Sequence, residues 1–312
     1  RALPPKPLLK KLKKAYAQQP WAFDADPVEQ FRNQVWVAPF YEDDIRGLAD
    51  QIGVDRIHHA FWSFHDPTHR NYEPGNRYRD VIRNYYQYLD DQIGELLERF
   101  GDDDTVIVVS DHGAEPMRGA VCINQWLIGE GYLTLRSTPE TITPFDVTNV
   151  DWSQTRVWGD GGYYGRIWLN VRGREPDGIV DPSEYEALRD ELISRLEGLP
   201  DPDGRPIGTR VFRPEDLWLE QRGVAPDLIA YFGNLAWRSA GSVGHAGYHT
   251  FENDTGPDDA NHARNGVFIM AGPGVPAGPR DGLSILDVAP TILGRFGMPP
   301  IERMRGQVID IH

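Results

Sequence analysis

The chain has 312 residues, room for one large domain or two ordinary ones, and 40% hydrophobic residues with 9 Trp predict a packed core. A net charge of −15 disfavours nucleic-acid polymers as partners, since phosphate neutralisation needs clustered Lys and Arg. It leaves small phosphate esters open, because bound cations invert the local field. The single cysteine, Cys122, reads as a small core residue between Val121 and Ile123 and fits a reducing, cytoplasmic compartment. No apolar run is long enough for a membrane span, and no signal-peptide pattern is visible.

The first twenty residues are basic and irregular, and the chain starts at Arg1 rather than Met, which reads as a processed or non-natural start. Val28–Phe31 reads as a helical turn and Val35–Val37 as a short strand. Tyr41–Ile52 has Ile45, Leu48 and Ile52 on one helical face, with Gly53 as its stop and Val54–Phe61 opening as a strand. Gly75–Phe100 is the clearest helix, with Val81, Ile82, Tyr85, Leu89, Ile93, Leu96 and Leu97 on one stripe. Thr105–Val109 is a β-branched run of the kind expected for a strand buried on both faces. Residues 136–225 change character and read as a smaller α+β insertion, with strand pieces in Asp151–Asn170 and a helix over Ser183–Leu196. Asp227–Tyr231 reads as a return to the core sheet. A Gly- and His-rich loop follows over Ser239–Asp259, then a strand over Gly266–Met270 and a helix over Ser284–Phe296. Helices alternating with such strands predict an α/β fold with a doubly wound, mostly parallel sheet.

Three pieces carry the chemistry. Asp55 and His59 are four residues apart, a spacing that on a helical turn sets both on one face toward one ion. The same pair also reads as a capped turn beside a core histidine. Asp111 and His112, in Ser110-Asp111-His112-Gly113, sit at the end of the Thr105–Val109 run, where open α/β sheets bind ligands. Gly113 permits unusual backbone there, and an incidental turn is the alternative. His262 could add a third ligand to Asp55 and His59, or be a surface histidine in an Asn-rich loop. His245 and His249 read as substrate-side residues, or groups bracing a ligand, against a solvated loop. His65 and His69 read as surface packing, with substrate contact as the alternative. Two carboxylates and three imidazoles without a thiolate suit two divalent cations, and such a pair suits phosphoryl transfer.

Together these pieces resemble the alkaline phosphatase superfamily, in its type I phosphodiesterase/nucleotide pyrophosphatase branch, over about residues 54–312. The likeness runs through Val54–Trp62, Val108–Ala114, Gly173–Val180, Glu252–His262 and Ser284–Leu293, in the family's order. It implies an alkaline-phosphatase-type core. One metal would be held by Asp55, His59 and His262, and a second by Asp111 and His112 with a further upstream Asp. The metals implied are zinc first and manganese second. The family also takes a Thr or Ser nucleophile from an N-terminal segment that has no match here. Instead, Pro4–Ile57 resembles the C-terminal part of an amidohydrolase of the decarboxylase-like branch, through Asp26–Val37, Glu42–Asp50 and Ile52–Ile57. That likeness brings none of its own catalytic residues.

The chain therefore reads as a hybrid, with residues 1–53 amidohydrolase-like and 54–312 the alkaline-phosphatase-like core. The expected function is metal-dependent hydrolysis of phosphodiester or pyrophosphate bonds in a small, nucleotide-like substrate, impaired where the nucleophile is lacking. A catalytically silent metal-binding domain is the alternative. An amidohydrolase-type hydrolase or decarboxylase comes third.

Overall fold

The computed structural model describes residues 45–221, 223–252 and 258–310. The turn at Val28–Phe31, the strand at Val35–Val37 and most of the amidohydrolase-like stretch lie outside the described residues. The chain divides into two units, residues 1–57 and 58–312. The described part of the first is helical from Ile45 onward.

That helix, α1 (Ile45–His65), runs straight through Gly53, where the sequence predicted a stop and then a strand. An interior glycine costs a helix only about 1 kcal/mol relative to alanine, too little to end it by itself. Helix α2 (Val81–Leu97) begins after Asp80, later than Gly75. Its stripe is buried only at Ile82, and Ile93, Leu96 and Leu97 are exposed.

Strand β1 (Val106–Val109) is followed by β2 (Gly113–Pro116), β3 (Gly119–Cys122) and the short helix α3 (Ile123–Gly129). Next come β4 (Val157–Asp160), β5 (Gly165–Leu169), helix α4 (Tyr185–Glu197), β6 (Arg210–Phe212), the single turn α5 (Pro214–Leu217) and β7 (Leu228–Tyr231). The chain continues through β8 (Trp237–Ala240), β9 (His249–Thr250), β10 (Ala260–Ala263), β11 (Phe268–Ala271) and α6 (Val288–Arg295). The helix predicted over Ser284–Phe296 is thus a 3-10 turn leading into α6, with a capping box between Ser284 and Asp287.

The architecture is mixed α/β, but the strands form small separate sheets rather than one doubly wound parallel sheet. Among the strands of the described residues only β3 and β8 pair in parallel, apart from the isolated bridges Val171–Val180 and Arg172–Glu175. Strand β1, expected to be buried on both faces, pairs antiparallel with β11 and leaves Val108 and Val109 exposed. A β-branched run specifies extended backbone; the partner and its direction come from elsewhere in the chain. Strand β7 joins the four-stranded sheet β4–β5–β7–β6 instead of leaving the insertion.

That sheet holds most of the core. Ile167, Leu169, Leu228 and Ala230 cluster with Leu188, Leu192 and Leu196 of α4, whose spacing puts them on one helical face. Cys122 is fully buried, as a core residue should be. Beneath the sheet, buried Asp227 accepts two hydrogen bonds from the Arg174 guanidinium at 2.6 and 2.7 Å. It also accepts from Tyr185 Oη at 2.6 Å and the Leu169 N–H at 2.6 Å. A buried carboxylate needs this many donors to offset its lost hydration. No helix among the described residues is long and apolar enough to cross a membrane.

Candidate metal centre

The site is built from one helix and one strand pair. On α1, Asp55 lies one turn before His59, so helical periodicity puts both on one face. Strand β10 carries His262 and pairs antiparallel with β2, with His262 opposite Ala114. The turn between β1 and β2 carries Asp111 and His112, and this pairing brings the turn beside His262.

His59 is buried, and its ring is held by its Nδ1. Asp258 Oδ1 lies 2.6 Å from Nδ1, and the Ala260 carbonyl oxygen lies 2.9 Å away. Both partners are acceptors, so Nδ1 carries the proton and the lone pair sits on Nε2. Nε2 in turn lies 3.3 Å from Nε2 of His262. Two imidazoles aimed at one spot, one with its outer N–H on a carboxylate, make the arrangement used to orient metal-ligating histidines. Backbone contacts lock the geometry. The Asp259 N–H donates to the His59 carbonyl at 2.8 Å, and Ser63 Oγ donates to Asp259 Oδ2 at 2.5 Å.

His262 is also fixed by aromatic packing. The His112 ring stacks on it at 3.7 Å and 14°, and Tyr163 lies 4.1 Å away between centroids. Buried Asn261 accepts the His262 N–H on Oδ1 and donates Nδ2 to the Leu235 carbonyl. The three predicted imidazoles therefore meet. Asp111 joins them less fully: its side chain is 78% exposed, with Oδ1 3.6 Å from His112 Nε2. His112 Nδ1 faces the Gly113 carbonyl at 2.9 Å, an acceptor, which puts the ring's lone pair on Nε2.

Gly113 is required for a reason other than the one expected. Its φ is not in the left-handed region, but a Cβ there would lie 2.2 Å from the Asn265 carbonyl oxygen. The close approach of the two chain segments, not unusual dihedrals, selects glycine. Ser110 is structural as well, since its Oγ accepts the Val267 N–H at 2.7 Å.

Of the two histidines assigned to the substrate side, His245 is buried and His249 half-buried. His245 Nε2 sits 2.9 Å from Ser242 Oγ. His249 packs edge-on against Trp237, and burial holds its imidazole below the ordinary histidine range. His65 is exposed, while His69, expected at the surface, is buried. Sequence reasoning missed Asp258, Ser63, Asp259 and Tyr163 as neighbours of the site. A signal for Asp258 existed: residues 258, 260 and 262 share the alternation of a strand, so Asp258 falls on the side of His262.

Imidazoles converging between a helix and a strand pair define a metal-type donor set on an α/β chain. The description "type I phosphodiesterase / nucleotide pyrophosphatase" belongs to the family whose profile matches residues 50–258. The chain belongs to this family, a branch of the alkaline phosphatase superfamily. It is also similar to the solved structure of human ectonucleotide pyrophosphatase/phosphodiesterase 5, at 15% identity and a TM-score of 0.42. That likeness covers 81% of this chain and 54% of the other, so the chain spans about half that protein's length. No curated protein matches the chain.

Proposed function

We propose that the chain acts as a metal-dependent hydrolase of phosphodiester or pyrophosphate bonds in small, nucleotide-like phosphate esters. The observation that carries the reading is the His59–His262 pair, with the outer nitrogen of His59 held by Asp258. Family membership supplies the reaction class.

Asp55, His59 and His262 are the residues we assign to one divalent cation, zinc first and manganese second. The donor set fits: a carboxylate and two imidazoles are the ligands a borderline cation prefers. Asp111 and His112 offer two donor atoms toward a second ion. When bound, such cations polarise a phosphoryl oxygen and stabilise displaced negative charge. The protein's own share of the work is orientation. Asp258 keeps the His59 proton on Nδ1, so that the lone pair is on Nε2. Stacking of His112 on His262 keeps both rings in one plane direction and limits their rotation.

In this reading residues 54–312 form the catalytic body and residues 1–53 a separate segment that adds no chemistry. A smaller α+β insertion at about residues 136–225 is assigned within that body. His245 and His249 stay assigned to the substrate side, and the buried lone cysteine agrees with a reducing, cytoplasmic setting.

The test is hydrolysis of bis-p-nitrophenyl phosphate by metal-stripped protein reloaded with zinc or manganese, with bound metal measured in parallel. The expected result is turnover that disappears on chelation, returns with metal and is lost in the His59→Ala, Asp111→Ala double variant. Equal rates in the double variant and the parent would overturn the reading. Stoichiometric metal without turnover would turn it into the silent metal-binding alternative.

A further inference from the structure

Asn261, the residue before His262, is fully buried, and every polar group of its side chain is engaged. Its Oδ1 accepts the His262 N–H at 2.9 Å. Its Nδ2 donates to the Leu235 carbonyl and, at 3.4 Å, to the Tyr163 carbonyl. Two carbonyls at one end and an N–H at the other leave the amide one orientation, since turning it over would set oxygen against oxygen. Neighbouring side chains on a strand point to opposite faces, so on β10 Asn261 lies behind His262 rather than beside its ring.

The two carbonyls come from segments with a bearing on the site. Gly233, Asn234 and Leu235 have φ of 58°, 55° and 84°. Asn234 and Leu235 are the two non-glycine residues with positive φ among the described residues. Asparagine tolerates that region, whereas leucine rarely enters it. Such backbone persists where its surroundings over-determine it, and it clusters at functional sites. This turn follows β7 of the packed four-stranded sheet and leads into β8. Tyr163 belongs to the other segment. Its ring lies 4.1 Å from the His262 ring and 5.5 Å from the His59 ring between centroids. The adjacent Gly162 exchanges hydrogen bonds with Ser239 of β8 at 2.8 and 2.9 Å. One amide therefore joins the strand that carries His262 to a strained turn and to the loop whose aromatic ring packs on both histidines.

We propose that Asn261 is a positioning residue of the metal centre. Its side chain reaches backbone groups, so it acts through His262 and Tyr163. The Leu235 and Tyr163 carbonyls are the fixed points from which it sets the His262 backbone. Without the amide, the buried Leu235 carbonyl loses this donor, and the His262 and Tyr163 rings lose their common anchor. The inference rests on the metal centre proposed above and adds a residue to it that none of the metal-ligand motifs contains.

The experiment is titration of the metal-stripped full chain with cobalt, read by visible absorption, with zinc affinity obtained by competition. Cobalt absorption reports donor geometry, which a loss of fold stability by itself does not move. Asn261→Ala should weaken zinc binding about tenfold and change the cobalt spectrum, as loss of a group that orients a ligand does. Asn261→Ser, whose single hydroxyl proton can meet only one of the two carbonyls, should shift both readings in the same direction by less. It carries the test if the alanine variant does not fold. Leu192→Ala, in the core under α4, should lower stability and leave the spectrum unchanged. Parent-like zinc affinity and spectrum in the folded Asn261 variants overturn the proposal, as does the same spectral change in Leu192→Ala. A parent chain that binds no cobalt overturns the metal centre itself, so the two readings fail at different steps.

Discussion

The sheet β4–β5–β7–β6 with α4, and the paired strands around His112 and His262, sit in one chain but are held by different means. In the first, Leu169, Leu188, Leu192, Leu196 and Leu228 are all 1% exposed or less. In the second, β1 and β11 leave Val108, Val109 and Ile269 open, and position is kept by hydrogen bonds and ring stacking. Apolar burial stabilises in proportion to area but orients nothing, whereas directional contacts orient groups and add little net stability. Fold stability and site geometry should therefore respond to different mutations.

The sharpest break is expected at Asp227. Asp227→Ala strands the Arg174 and Tyr185 donors and should cost about 3 kcal/mol in denaturant unfolding. Leu192→Ala should cost about 2–4 kcal/mol by leaving a cavity, with metal content of the folded fraction unchanged. An unchanged unfolding midpoint in either variant would end the claim that this sheet holds the fold. On the site side the pattern should reverse. Asp258→Asn should lower metal affinity by 10- to 100-fold, as loss of a histidine's carboxylate partner typically does, while thermal stability moves little. Gly113→Ala should shift the Asn265 segment and cost about 1–3 kcal/mol, seen as both lower stability and weaker metal retention.

The smallest effect is a pH dependence. Burial first, then the hydrogen bond to Asp227, push the Tyr185 hydroxyl up to about 12. Burial also raises Tyr132. The folded chain thus keeps protons that the unfolded chain releases near pH 10. Stability from this source is whole below pH 10 and falls as pH rises from 10 to 12. Tyr185→Phe should flatten part of that slope in pH-dependent unfolding; a steeper slope in the variant would contradict the assignment.

Much of the site could be read from the chain. Asp55 and His59 are linked by helical spacing alone, and His112 and His262 by motif and order. The helix near 185–197 and the strand near 228–231 follow from periodicity and β-branched content. What failed shares one cause. The stop at Gly53, the buried parallel strand at 106–109 and the exit of β7 from the insertion were all inferred locally. The strands were decided by partners distant in sequence, and the helix by the small cost of one interior glycine.

The sequence by itself determined the donor types, their spacing and the family, because ligand chemistry depends on which atoms are present. It also determined which residues are apolar enough to form a core. Tertiary structure alone decided that His112 would stack on His262 while Asp111 stays in solvent. It alone put Asp258 on the His59 ring and left His69 buried. Those outcomes depend on the pairing of β10 with β2 and on the 258–259 segment reaching α1, contacts across about 150 to 200 residues that no local propensity encodes.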